Sequence, residues 1–335
     1  MDRELLEQTL TELGQPSYRA RQVWEHACAG AGSYEEMSSL PKSLRSELTG
    51  RVPFSTLSLE QQLEARDGTV KALFRTHDGH PVESVLMRYR DGRRSVCIST
   101  QSGCPLNCAF CASGQMGFKR NLTAWEIFDQ ALHFRQIDEI NHGALMGMGE
   151  PLMNLTAVLT AVRALPDLGI GHRHTSVSTA GWVPGIDKLA AEGIPLRLAL
   201  SLHAPDDELR GTLMPVNARF PIAEVIAACE RFYALRRRKV LVEYLMLAGV
   251  NDHPEQARAI GRLLDPGHFK LNLIPYNETG AGRGAFSGSS RATIYSFRET
   301  LAKSGLEATV RLARGREIEA ACGQLAGTVG AASRT

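Results

Sequence analysis

Residues Ser95–Gly114 read SVCISTQSGCPLNCAFCASG, a short strand-like run that opens into a loop with three cysteines in eight residues. Alternation in SVCIST puts Val96 and Ile98 on one face and Ser95, Cys97 and Ser99 on the other. The same rhythm, an apolar strand ending in a polar or glycine-rich loop and followed by a helix-period segment, runs through most of the remaining chain. Strand candidates GALMGMG, HTSVST, LRLALSL, KVLVEYLML and FKLNLIP alternate with helix candidates such as TAWEIFDQALHFRQI, LTAVLTAVRAL, IAEVIAACERFYAL and HPEQARAIGRLL. Six β/α units with near-continuous apolar strands imply an α/β fold with a parallel sheet covered by helices. Six is too few for a closed eight-stranded barrel. The expected fold is therefore an open, partial (β/α)6 TIM-like barrel, with a doubly wound sheet as the alternative.

Both folds place chemistry at the C-terminal ends of the strands. The cysteine loop follows the first strand, GMGEP the second, STAG the third, SLH the fourth and PYN the sixth. These five segments are expected to converge on one rim. Working outward, residues 1–53 carry apolar positions at helix spacing in LLEQTLTEL and a Pro-initiated turn at LPKSL, which reads as a small N-terminal helical accessory domain. Residues 54–92 form a short β segment, a hairpin linker built from TVKALFRT and PVESVLMRY around the turn HDGH. The barrel is expected over 93–310, with a C-terminal segment over 311–335.

The chain has 335 residues, 43% of them hydrophobic, and a formal net charge of +2. That is enough apolar material for a sizeable core, and the near-neutral balance identifies no nucleic acid or membrane partner. Seven cysteines in a chain of this length are too few, and odd in number, for a disulfide-stapled secreted domain. MDRELLEQTLTELG has the charges of a surface helix and lacks a signal peptide's apolar core. No apolar run reaches membrane-spanning length. A reducing, cytoplasmic setting is expected, where clustered thiols act as ligands or catalysts.

Cys104, Cys108 and Cys111 are spaced Cys-x3-Cys-x2-Cys. A structural zinc takes four ligands, and no second Cys pair or nearby His supplies a fourth. Four cysteines are usual for a [4Fe-4S] cluster, so three would leave one iron open to another ligand.

With Phe110 before the last cysteine, CPLNCAFC resembles the cluster-binding motif of radical S-adenosylmethionine (SAM) enzymes. The likeness narrows along the chain. SVCISTQSGCPLNCAFCASGQMGFKRNLT, LMGMGEPLMN, ALSLHAPDDELRGTLMPVN, VEYLMLAGVNDH, KLNLIPYN and RLARGREIEAACGQLAG resemble the RlmN-type adenine C2-methyltransferases of 23S rRNA and tRNA. The resemblance implies a [4Fe-4S] cluster on Cys104, Cys108 and Cys111. It implies SAM contacts at Gly149, Glu150, Ser178, Ser201, Leu202, His203 and Asn277. Cys97 and Cys322 otherwise read as small buried apolar residues, and Glu83 as a surface strand carboxylate.

In the mechanism the resemblance implies, a low-pKa Cys322 thiolate is methylated by one SAM, and a second SAM is cleaved to a 5′-deoxyadenosyl radical that activates this methyl group. Carbon 2 of adenine lacks a nucleophilic lone pair, which is why a radical route is needed. The methylene radical on Cys322 adds to the base, Glu83 accepts the C2 proton, and Cys97 resolves the adduct by forming a transient disulfide with Cys322. Two SAM are used per turnover. The implied substrates are an adenosine of the peptidyl-transferase centre in 23S rRNA and the adenosine 3′ of the tRNA anticodon. Flavodoxin or ferredoxin is the implied electron donor, and a monomer is expected.

Tyr18, Arg19, Arg21, Trp24, Lys119, Arg120 and the run RRRK at Arg236–Lys239 are candidate RNA contacts. Three rival functions share parts of the pattern: a Cfr-type adenine C8-methyltransferase, a radical SAM activase that would not need Glu83, Cys97 or Cys322, and a zinc-stabilised RNA-binding module.

Overall fold

The computed structural model describes residues 1–277, 286–311, 314–325 and 327. Parts of the expected C-terminal segment, residues 312–313, 326 and 328–335, lie outside the described residues. The chain opens with α1 (Arg3–Glu12), α2 (Tyr18–Cys28) and α3 (Lys42–Arg51). Three antiparallel strands follow: β1 (Leu57–Glu64), β2 (Val70–Thr76) and β3 (Pro81–Arg88). β1 did not stand out in the sequence, because LSLEQQLE is polar and mostly exposed. Its pairing with β2, and not its own apolarity, makes it a strand.

The six expected barrel strands are all present. β4 (Arg94–Cys97) is followed by the clip β5 (Gln101–Ser102), the short α4 (Ala112–Gln115) and β6 (Arg120–Asn121). After α5 (Ala124–Arg135) come β7 (His142–Leu145), α6 (Leu155–Ala164), β8 (Thr175–Thr179), α7 (Val183–Ala191) and β9 (Arg197–Ser201). Then follow α8 (Asp207–Leu213), α9 (Ile222–Arg236), β10 (Val240–Met246), α10 (Pro254–Leu263), β11 (Phe269–Pro275), α11 (Arg291–Ala302) and a short extra strand, β12 (Ala308–Val310). Among the described residues, ten strands form one sheet in the order β1-β2-β3-β4-β7-β8-β9-β10-β11-β12.

This order decides between the two architectures. From β4 to β12 every neighbour is parallel and the order follows the sequence. With right-handed connections, successive helices then fall on one face and the sheet curls around the other. A doubly wound sheet would reverse its strand order at a switch point, and none occurs here. The end strands β1 and β12 are not paired with each other, so the barrel is open.

Local signals fix the elements that frame the site. Thr123 and Glu126 form a reciprocal capping box that starts α5. Trp24 stacks on Phe128 of α5 at 4.8 Å between ring centroids and donates to Asp167, which ties the N-terminal helices to the barrel. Trp24 is thus packing material, contrary to its reading as a base-stacking residue.

Candidate active site

One cavity opens at the C-terminal ends of the parallel strands, and all five expected segments reach it. Its wall includes Cys97, Cys104, Cys108, Cys111, Gly149 and Glu150, and also Ser178, Ser201, His203, Asn277 and Cys322. Leu202 and Glu83 do not line it. Leu202 is fully buried and takes part through its backbone, donating to Glu243 O at 3.1 Å and accepting from Arg210 Nε at 3.2 Å.

The cysteine loop is pinched at its base. β5 pairs with β6, and Lys119 N donates to Ser102 O at 2.9 Å. Gly103 has φ +71°, and a Cβ there would lie 1.8 Å from Gly117 O, so only glycine allows the two ends to meet. Within the loop, Ala109 N donates to Leu213 O at 3.0 Å and Ala112 N to Gly323 O at 2.9 Å. The second of these contacts brings the Cys322 segment against the cysteine loop.

Burial raises all three thiols, Cys104 to about 12, and mutual repulsion adds to the effect for Cys104 and Cys108. Such a group of thiols is ionised most readily when a soft metal takes the charge. Among the described residues, no three His, Cys, Asp or Glu side chains converge on a single metal-ion position. A [4Fe-4S] cluster takes its thiolates on separate irons. The donor set, three thiols on one cavity wall, therefore fits the cluster.

Glu150 is buried, with Oε1 accepting from Leu152 N at 3.1 Å and Oε2 from Ala180 N at 2.8 Å. Burial pushes its carboxyl up to about 7, and the two backbone donors oppose that shift. A group that brings N–H donors or positive charge to this carboxylate would stabilise its ionised form. Gly147 and Gly149 let the backbone cross close above β4: a Cβ on Gly147 would sit 2.5 Å from Ser99 Oγ, and one on Gly149 2.6 Å from the Gln101 side chain. Ser178 Oγ donates to Leu145 O at 2.8 Å. His203 Nδ1 accepts from Leu245 N at 3.0 Å, which leaves the proton on Nε2. Burial, assisted by Arg210, lowers its pKa to about 3, so it is a neutral hydrogen-bonding group and not a general acid.

Cys97 and Cys322 face the same cavity, and both are free thiols. Burial pushes Cys97 up to about 12, with Cys322 the next cause. Cys322 has exposed surface, but that surface faces the cavity, and this enclosure raises its thiol; Arg311 opposes the shift, while Glu243 and Cys111 add to it.

Glu83 is 1% exposed, on β3, and sits under the C-terminal segment. Lys71 Nζ lies 3.1 Å from its Oε1, and Gly327 N donates to Oε2 at 3.0 Å. The surface-carboxylate reading of Glu83 is excluded by this burial. The described residues 314–325 form a strap along the cavity wall, which Ala320, Ala321, Cys322, Gly323 and Leu325 line. Ala320 and Leu325 pack on Val85, Met87 and Met148. Asn277 donates to Cys322 O at 3.4 Å and accepts from Arg316 Nε at 2.8 Å.

Sequence reasoning missed three cavity-side groups. Glu243 is buried and accepts from Asn272 Nδ2 at 2.8 Å; a carboxylate inside the apolar run KVLVEYLML was the available signal. Arg311 lines the cavity just after β12, where burial disfavours its charge and Glu243, with Cys322 when ionised, more than offsets that. Arg210, fully buried, donates to Ala180 O at 2.6 Å, Asn217 Oδ1 at 2.9 Å and Leu202 O, which locks the ends of β8 and β9 together.

Two of the candidate RNA contacts are otherwise engaged. Arg120 is bound to Asp78 at 2.8 Å and Glu126 at 2.7 Å. Arg236–Lys239 ends α9 just before β10 begins, at the opposite end of a strand about 20 Å long from the cavity. There Arg238 and Lys239 donate to the loop carbonyls of Pro195 and Pro266. Tyr18 is exposed, with Arg19 over its ring.

The Radical SAM superfamily pattern matches residues 98–259. A protein of Chloroflexus aurantiacus named "Probable dual-specificity RNA methyltransferase RlmN" is 45% identical over 346 residues, covering 95% of this chain and 90% of the relative. A Thermus thermophilus protein of the same name is 44% identical, covering 96% and 92%. The crystal structure of a radical SAM methyltransferase from Sphaerobacter thermophilus superposes with a TM-score of 0.92 at 42% identity, covering 98% of each chain.

Proposed function

The chain belongs to the RlmN family of radical SAM RNA methyltransferases, and we propose that it methylates carbon 2 of adenosine in 23S rRNA and tRNA through a methylated Cys322. Cys104, Cys108 and Cys111 would hold the cluster. Glu150, Ser178, Ser201, His203 and Asn277, with the Gly149 and Leu202 backbone, would hold SAM. When bound there, the cluster would supply one-electron chemistry to SAM, making a radical that can take a hydrogen atom from a methyl group. Cys322 takes that methyl group from one SAM and, once activated, adds to the adenine. Glu83 accepts the C2 proton and the adduct's odd electron would return to the oxidised iron–sulfur centre. Cys97, giving up its proton, attacks the Cys322 sulfur, the sulfur–carbon bond breaks, and the released carbon takes a proton to become the C2 methyl group while the two sulfurs are left as a disulfide. One SAM as methyl donor and one as radical source make two per turnover. The reaction calls for a one-electron donor such as flavodoxin or ferredoxin, and we assign it to a cytoplasmic monomer.

One observation carries this reading: Cys97 from β4 and Cys322 from the strap face the cavity that also holds the three-cysteine loop. A radical SAM activase has no use for that pair. The test is mass spectrometry of nucleosides from 23S rRNA fragments and tRNA after anaerobic incubation with reconstituted protein, SAM and reductant. 2-Methyladenosine is expected with the native chain and absent with Cys322→Ala. An 8-methyl product would refute the regiochemistry, and SAM cleavage without methylated adenosine would refute the methyltransferase reading.

A further inference from the structure

We propose that Lys71 is a positioning residue for the reaction, holding the Glu83 carboxylate in a buried ion pair beside the C-terminal segment. This inference rests on the reading of Glu83 as the base. β2 and β3 pair with Leu73 opposite Glu83, so Lys71 is Glu83's diagonal cross-strand neighbour on the same face. That face carries Val85 and receives Ala320 and Leu325 of the strap, whereas Val70, Ala72 and Phe74 of β2 point into the main core. Lys71 is 4% exposed and Glu83 1%, so neither charge is hydrated to any useful extent. A carboxylate in such a place stays ionised only with a cation beside it.

The geometry of the contact is the instructive part. Lys71 Nζ lies 3.1 Å from Glu83 Oε1, yet among the described residues Oε1 accepts no aligned hydrogen bond. Oε2 is occupied by Gly327 N. The ammonium therefore holds the carboxylate through charge at short range, without an aligned hydrogen bond to fix the rotation of Oε1. A general base needs such positioning before it can meet its proton. Lys71 also reaches the strap, donating to Glu319 O at 3.4 Å. The same ammonium thus relates the base to the backbone of the segment that carries Cys322.

Lys71 does not line the cavity, so its loss is expected to act through Glu83, late in the reaction. In Lys71→Met, cluster loading, 5′-deoxyadenosine formation and methylation of Cys322 are expected at native rates. Release of the covalent protein–RNA adduct, followed on denaturing gels in a single turnover, is expected to slow by at least about tenfold, within the range a general base contributes. Lys71→Arg, which keeps the cation, is expected to restore most of the rate. Glu83→Gln is the reference, expected to stall at the same adduct.

If Lys71→Met releases the adduct at the native rate while Glu83→Gln stalls, the proposal is overturned and the base assignment stands. Should Glu83→Gln itself release normally, both fall together. Equal slowing of Cys322 methylation and adduct release in Lys71→Met would mark general damage and also overturns it. If the Met variant fails to load a cluster, Lys71→Gln is judged by the same criteria.

Discussion

Replacing His203 by Asn isolates one buried titration and tests the electrostatic picture of the cavity. Asn suits the site: it tolerates the left-handed backbone found here, φ +62°, and its Oδ1 can replace Nδ1 as acceptor from Leu245 N. The pKa of His203 falls from 6.5 in the unfolded chain to about 3 in the fold. The folded protein therefore binds fewer protons than the unfolded one between these values, so stability is fully present above pH 6.5 and is lost as pH falls toward 3. For a group this buried, the loss attributable to His203 is negligible at pH 7 and on the order of 2 kcal/mol at pH 5. Every other group titrates alike in both proteins and cancels. Urea unfolding at pH 7 and pH 5 is expected to show the native chain losing about 2 kcal/mol relative to His203→Asn. A difference that stays flat across this range would mean that His203 is hydrated or has an acidic partner, and the argument for a neutral Nε2–H donor at the cavity would fail.

Glu150→Gln removes a charged acceptor from a buried site; a charge-assisted hydrogen bond worth about 1.5–3 kcal/mol predicts SAM binding weaker by roughly 10- to 150-fold by calorimetry. Gly147→Ala places a Cβ 2.5 Å from Ser99 Oγ and 2.8 Å from Ser99 N, and overpacking against the backbone is expected to cost about 1–3 kcal/mol in urea unfolding. Arg210→Met strands the carbonyls of Ala180 and Leu202 and is expected to destabilise by about 3 kcal/mol, with SAM affinity falling because the ends of β8 and β9 are no longer tied.

The strands and the rim were legible because their information is local. Apolar runs of strand length stand out between helix-period segments, and the cysteine spacing places ligands within one loop. β1 escaped notice since its partner, β2, supplies its reason to be a strand. Lys71, Arg210 and Glu243 escaped because their roles depend on what folding brings beside them. Trp24 and Arg120 look like nucleic-acid contacts by residue type, but Phe128, Asp167, Asp78 and Glu126 already engage them.

The strap's anchors also set an order on biosynthesis. Asp67, Lys71 and Glu83, which hold Gly315, Glu319 and Gly327, leave the ribosome early, whereas their partners leave among the last described residues. Glu83 and Gly327 are 244 residues apart, so at ordinary translation speeds the carboxylate waits roughly 10 to 50 s for its cap. A chain released before this segment lacks Ala320, Ala321, Cys322, Gly323 and Leu325 of the cavity wall. The wall is thus assembled from parts made far apart in time.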